Sequence, residues 1–124
     1  MVAKIFTAAV LLVLIVGGML VFMNMFVDTV ENFIFQTAEI IEAPDISAGI
    51  DAFYSFEESF YEAETFVSLF VHDSVLDEIR ESMVEIRTSF FNGDRDDALI
   101  FTSLLRERFL QIRRSVQPTA ANIF

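Results

Sequence analysis

The sequence lacks several residue types, and each absence narrows the possible structures. Its 124 residues contain no cysteine and no tryptophan, and only four glycines and two prolines. The absence of cysteine excludes a disulfide, a thiolate metal site and a thiol nucleophile within this chain. So few glycines and prolines favour long helices over a β fold, which needs many turns.

Positive charge is scarce as well. Only eight residues are basic and 19 are acidic, which gives a formal net charge of −11 at pH 7. All 19 acids follow position 27, and Lys4 is the only basic residue before it. Because so acidic a surface repels phosphate groups, we expect no nucleic-acid partner and no attraction to anionic lipid headgroups.

What the sequence does have is one long apolar run, IFTAAVLLVLIVGGMLVFMNMF. Residues Ile5–Val27 contain no ionisable side chain. As a helix they span about 34 Å, which exceeds the roughly 30 Å of a hydrocarbon core. A cleavable signal peptide has a shorter apolar region and a small-residue cleavage site, which is missing after this run. The rest of the chain is too short to enclose such a helix in a soluble core, so we predict an uncleaved transmembrane anchor over residues 1–27, in contact with lipid through Ile5–Val27.

The residues that flank the run indicate its orientation. Lys4 and the amino terminus precede it, and Asp28 and Glu31 follow it. Since positive charge stays on the cytoplasmic side, we predict a single-pass protein of the cell membrane with residues 28–124 outside the cytoplasm. Gly17–Gly18 either faces lipid or lets another transmembrane helix approach closely.

The rest of the chain shows helical periodicity. Apolar spacings of three and four continue after the run, so the first helix should extend without a break towards Pro44. Three more helices are expected: about Ile50 to Phe70, an Asp73 or Ser74 cap to Asn92–Gly93, and Asp94 to just before Pro118. Because short loops imply antiparallel neighbours, the predicted fold is all-α, an N-terminal transmembrane helix that continues into a small antiparallel helical bundle.

His72 and Asp73 form the only pair that suggests acid–base chemistry. Nucleophilic catalysis needs a hydroxyl that converges on the imidazole in space, and the sequence position of Ser74 does not provide this. We therefore interpret the pair as a loop with a capping aspartate, and we predict that the protein is not an enzyme.

Acidic residues crowd the second predicted helix at Glu57, Glu58, Glu62 and Glu64. Di-iron bundles use Glu-x-x-His motifs on paired helices, and no such motif occurs in this sequence. We interpret these glutamates as a solvated acidic face and predict no metal and no cofactor.

The arginines follow a seven-residue spacing. Arg80 and Arg87 lie on the third predicted helix, and Arg106 and Arg113 lie on the fourth. If those helices are neighbours, the four side chains can form a basic strip. One interpretation is that this strip faces the acidic second helix, and the other is that it binds an external anionic partner.

Phenylalanine is present in excess, with 15 residues. One slim core cannot hold all of Phe33, Phe35, Phe90, Phe91 and Phe124. Some of these rings therefore pack between the stalk and the bundle, contact lipid, or form a partner surface.

Three short motifs, LFVHDSVLDEI, NGDRDDAL and a final NIF, resemble a family of small bacterial single-span membrane-anchored helical proteins of unknown function. The matching positions are His72, Asp73, Ile79, Asp94, Ala98, Leu99, Asn122, Ile123 and Phe124. Family members carry a tryptophan in the second helix, where this chain has Phe60 or Phe66 instead. The resemblance implies the same anchored helical architecture, and the family supplies no activity and no cofactor. It also marks Phe124 as a ring that docks on the bundle or on a partner.

These features predict a non-enzymatic accessory or assembly protein that binds another membrane protein or a second copy of itself. The alternative is an extracytoplasmic sensor or ligand-binding domain that holds an anionic ligand on the arginine strip.

Overall fold

The computed structural model describes the backbone of residues 1–123 and the side chains of residues 1–116. It contains four helices: α1 Val2–Glu42, α2 Ile46–Val67, α3 Asp73–Phe91 and α4 Arg95–Ile123. The helices pack as an antiparallel bundle, which confirms the predicted fold class.

The first helix combines two parts with different surroundings. From Met1 to Met25, nearly every apolar side chain is exposed, and this part of α1 is long and apolar enough to cross a membrane. From Phe26 onwards, α1 buries one face against the other helices, with the residues Phe26, Val30, Phe33, Ile34, Thr37 and Ile40. The helix ends at Glu42, directly before Ala43 and Pro44, because a residue that precedes proline is disfavoured in the α conformation. The predicted unbroken helix is therefore confirmed.

The bundle is organised around α1 and α4. Helix α1 packs closely against α2 and α4, and α3 packs against α4, whereas α2 and α3 approach each other less closely. The ring of Phe33 lies 5.7 Å from the rings of both Phe56 and Phe60, and 5.2 Å from the ring of Phe109. Such aromatic pairs add about 0.5–1.5 kcal/mol each to the free energy gained from apolar burial.

Helix α2 begins at Ile46, four residues before the predicted start. The carboxylate of Asp45 accepts a hydrogen bond of 2.8 Å from the amide of Ala48, and this cap sets the first turn. The helix ends at Val67, so Phe70 lies in the turn that follows it.

The predicted side-chain cap of α3 is wrong. The N-cap residue is His72, and it makes no side-chain cap hydrogen bond, so neither Asp73 nor Ser74 has the predicted role. Here the packing of Leu76 and Ile79 positions the helix, and both residues are buried in the core.

The turn between α3 and α4 agrees with the prediction. Gly93 has φ 71°, a left-handed conformation that glycine adopts without steric cost, and Asp94 accepts a hydrogen bond of 3.1 Å from the amide of Asp97. The predicted stop before Pro118 is wrong, because α4 continues to Ile123. The prediction rests on the cost of an interior proline, which removes one backbone hydrogen bond and clashes with the preceding turn, at about 3 kcal/mol.

Candidate interaction surface

The two arginines of α3 face α2. The guanidinium of Arg80 is hydrogen-bonded to Glu64 and, at 2.8 Å, to Asp77. The hydrogen bond to Glu64 raises the pKa of Arg80 further above its ordinary value. Arg87 is paired with Glu57, which is only 15% exposed. For these two residues, the interpretation that arginines face the acidic second helix is confirmed.

The arginines of α4 face a different neighbour. Arg95, at the start of α4, donates to the carbonyl oxygen of Ala43, at the end of α1. Arg106 and Arg113 follow Arg95 at about three and five helical turns, which places them on the same, α1-facing side of α4. On the other side of α4, Arg108 pairs with Glu78 of α3.

The four arginines therefore do not form one strip. Those of α3 point towards α2, and those of α4 lie on its α1-facing side. The Nε atom of Arg106 is buried and has no hydrogen-bond partner among the described residues. Arg113 is half-buried, and Phe124 lies outside the described residues.

The remaining polar candidates are separated from one another. His72 and Ser74 are both exposed at the start of α3. Glu58 and Glu62 are exposed on α2, as predicted for a solvated acidic face, but the prediction is wrong for Glu57 and Glu64, which are partly buried because they pair with arginines of α3. Over the described part of the chain, no three histidine or acidic side chains are grouped closely enough to hold a metal ion.

An apolar groove lies where α2 and α3 diverge. Its volume is about 250 Å³. It is lined by Ile50, Phe53, Tyr54, Arg87, Phe90 and Phe91. Gly49 packs against one wall, since a Cβ atom there would lie 3.2 Å from the ring of Phe90. The groove therefore opens beside the end of the bundle that is farthest from the apolar half of α1.

The surplus phenylalanines divide into two groups. Phe33 and Phe90 are buried in the core. Phe35 is 63% exposed and Phe91 is 76% exposed, so each leaves an apolar ring on the surface. The sequence identified Phe91 as a surplus ring, but it did not identify Tyr54, which lies off the predicted apolar face of α2. Tyr54 and Phe91 line one groove because of the distance between α2 and α3, which only the structure shows.

Comparison with protein-family models, with curated proteins and with solved structures found no match to this chain. The resemblance noted in the short motifs therefore stays a hypothesis, and the function is argued below from the geometry.

Proposed function

We propose that this protein is a non-enzymatic, single-pass protein of the cell membrane that serves as an accessory or assembly subunit for another membrane protein. The observation that supports it most directly is the continuity of α1, whose exposed apolar half leads without a break into the buried half. A helix without a hinge holds the bundle at a constant height above the membrane. Such an arrangement suits a protein that presents a surface to a neighbour in the same membrane.

The groove between α2 and α3 is the surface proposed for that neighbour. Tyr54 and Phe91 are exposed beside it, and aromatic side chains are enriched at the centres of protein interfaces. The ion pair between Arg87 and Glu57 forms its polar edge. The exposed rings and the charged edge fit a partner segment that places an apolar side chain in the groove.

The alternative is a sensor of anionic ligands on the arginines. Its support is the buried Nε atom of Arg106, which lacks a hydrogen-bond partner among the described residues. Against it, an anion at Arg80 or Arg87 has to displace a carboxylate of α2. A thermal shift caused by phosphate, lost in Arg106→Ala, would favour the sensor over the accessory protein.

The groove is tested by site-specific photocrosslinking of the full-length chain in its native membrane. A photoreactive phenylalanine analogue replaces Phe91, and in the matched control it replaces Val84, which is exposed on the same helix but does not line the groove. We expect one discrete crosslinked membrane protein from position 91 and none from position 84. No product at position 91 would contradict the proposal, and a product of twice the chain mass would identify a second copy as the partner.

The orientation is tested with single cysteines, since the natural chain has none. Ser55→Cys on α2 should react with a membrane-impermeant maleimide in intact cells, whereas Ala3→Cys should react only after lysis. The reverse pattern would place the bundle in the cytoplasm. Labelling of neither variant before lysis would contradict an exposed bundle.

A further inference from the structure

The turn between α2 and α3 is unusually apolar for a surface turn. It contains the sequence Ser-Leu-Phe-Val, and the side chain of Leu69 is 74% exposed. Turn residues are typically polar, so consecutive apolar residues at an exposed turn require a specific environment.

Ring contacts place this turn beside the apolar half of α1. The ring of Phe70 stacks on that of Phe26, with centroids 4.5 Å apart and planes inclined by 15°. The ring of Phe66 lies 6.4 Å from that of Phe22. The end of α2 is therefore held at the level of residues 22–26 of α1.

The length of the apolar helix puts the same level at the membrane surface. A membrane-spanning helix needs about 20 residues to cross the hydrocarbon core. Counted from Ile5, the first residue after Lys4, this crossing ends near Asn24. Phe22 and Phe26 stand on either side of that position, and so do the rings that contact them, Phe66 at the end of α2 and Phe70 in the turn.

A second observation concerns charge at this level. Helix α4 runs antiparallel to α1, with Arg95 at Ala43 and Phe109 beside Phe33. One turn beyond Phe109, Arg113 reaches the level of Thr29, just above the apolar residues. Asp28 lies at the same level, so this guanidinium suits the headgroup layer of a neutral bilayer and does not imply attraction to anionic lipid.

We propose that the α2–α3 turn inserts Leu69 and Phe70 into the bilayer surface, as a second lipid contact beside α1. The inference rests on the membrane anchoring in the proposed function. The occupant of this apolar surface is the acyl region of the lipid and not a protein, because the turn is continuous with the lipid-facing surface of α1. Two lipid contacts restrict the tilt of the bundle relative to the membrane. The groove between α2 and α3 lies at the opposite end of the bundle, so it then points away from the membrane.

The absence of tryptophan from the chain makes the test direct, because one introduced tryptophan is the only strong emitter. Full-length Leu69→Trp is reconstituted in phosphatidylcholine vesicles whose acyl chains carry bromine, a short-range quencher. Leu14→Trp, in the middle of the apolar helix, is the positive control. Phe91→Trp is the negative control, because it lies at the other end of α3, a helix about 28 Å long. Leu69 and Phe91 are both exposed, so tryptophan fits at either position.

We expect Leu69→Trp to lose most of its fluorescence and to emit at a shorter wavelength, as Leu14→Trp does, while Phe91→Trp is unaffected. If Leu14→Trp is quenched and Leu69→Trp behaves like Phe91→Trp, the insertion of the turn is wrong and the anchor stands. If Leu14→Trp is not quenched, both the anchor and the insertion are wrong.

Discussion

The ring of Phe33 on α1 lies 5.2 Å from the ring of Phe109 on α4, and this contact joins the helix that carries the long apolar segment to the last helix of the bundle. Phe33 also meets the rings of Phe56 and Phe60 on α2. The helix that carries the apolar segment is therefore part of the core. A change at the buried positions of α1, from Phe26 to Ile40, is therefore expected to affect the stability of the whole bundle.

The first prediction concerns this aromatic cluster. Phe33→Ala should lower the free energy of unfolding by about 3–5 kcal/mol, because it leaves a cavity among three rings. The measurement is chemical denaturation of the full-length protein in detergent, followed by circular dichroism.

Phe35 provides the matched control, since it is the same residue type two positions along the same helix. Phe33 is 1% exposed and Phe35 is 63% exposed. Phe35→Ala should therefore change the stability by less than about 0.5 kcal/mol. Equal losses for the two variants would show that this face of α1 is not the one that packs in the core.

The second prediction concerns the ion pair between Arg87 and Glu57, which bridges α2 and α3. These two helices approach each other less closely than the other packed pairs of helices do. A double-mutant cycle with alanine at both positions should give a coupling energy below about 1 kcal/mol, because the arginine is partly exposed to water. The coupling should fall further at high salt, which screens exposed charges. A coupling of several kcal/mol would mean that the pair, and not the aromatic core, determines the spacing of these helices.

The third prediction compares two helix starts. The Asp45 carboxylate caps α2 by accepting a hydrogen bond of 2.8 Å from the amide of Ala48, whereas the side chain of His72 at the start of α3 makes no cap hydrogen bond. Asp45→Ala should cost about 0.5–2 kcal/mol of stability, and His72→Ala should cost less than about 0.5 kcal/mol. Thermal unfolding monitored at 222 nm ranks the two variants. A larger loss in His72→Ala would show that the histidine has an unrecognised structural contact.

The fourth prediction concerns pH. A side-chain hydrogen bond to Asp94 raises the pKa of Asp97 above its ordinary value, and the charge of Asp94, desolvation and the charge of Asp96 act in the same direction. Because the folded state binds this proton more tightly than the unfolded state, the contribution of Asp97 to stability becomes more favourable as the pH falls through its folded pKa. At neutral pH the contribution is unfavourable, so Asp97→Asn should raise the melting temperature there.

Carboxyl-carbon NMR titration of the full-length protein in detergent measures this pKa directly. Asp94→Asn removes the main negative neighbour and should bring the pKa of Asp97 back towards that of an ordinary aspartate, near 3.9. A pKa for Asp97 at or below that value in the natural protein would contradict the prediction.

Local patterns predicted most of the secondary structure. The break at Pro44, the turn at Gly93 and the cap at Asp94 depend on residues within a few positions of one another, so they are readable from the sequence. The missed features have a different origin. Helix α3 starts at Asp73 after an N-cap residue, His72, that makes no side-chain cap hydrogen bond, and α4 continues past Pro118 to Ile123, so neither boundary follows from the local signals.

The candidate site was less predictable than the fold. Spacing placed Arg80 with Arg87 and Arg106 with Arg113 correctly on two helices, but it contained no information on which neighbour each pair faces. The apolar turn at Leu69 and Phe70 had a signal that could have been used, since several consecutive apolar residues in a loop are rare. Its meaning depends on Phe22 and Phe26, which lie more than 40 positions earlier in the chain.

The sequence by itself determined that this protein is helical and acidic, and that one of its helices is apolar enough to cross a membrane, because these properties depend on composition and short-range periodicity. Only the tertiary structure decided which phenylalanines form the core, which arginines are neutralised, and where an apolar groove stays open. Those outcomes depend on the rotation and spacing of four helices, which are set by how all of the buried rings pack together at once.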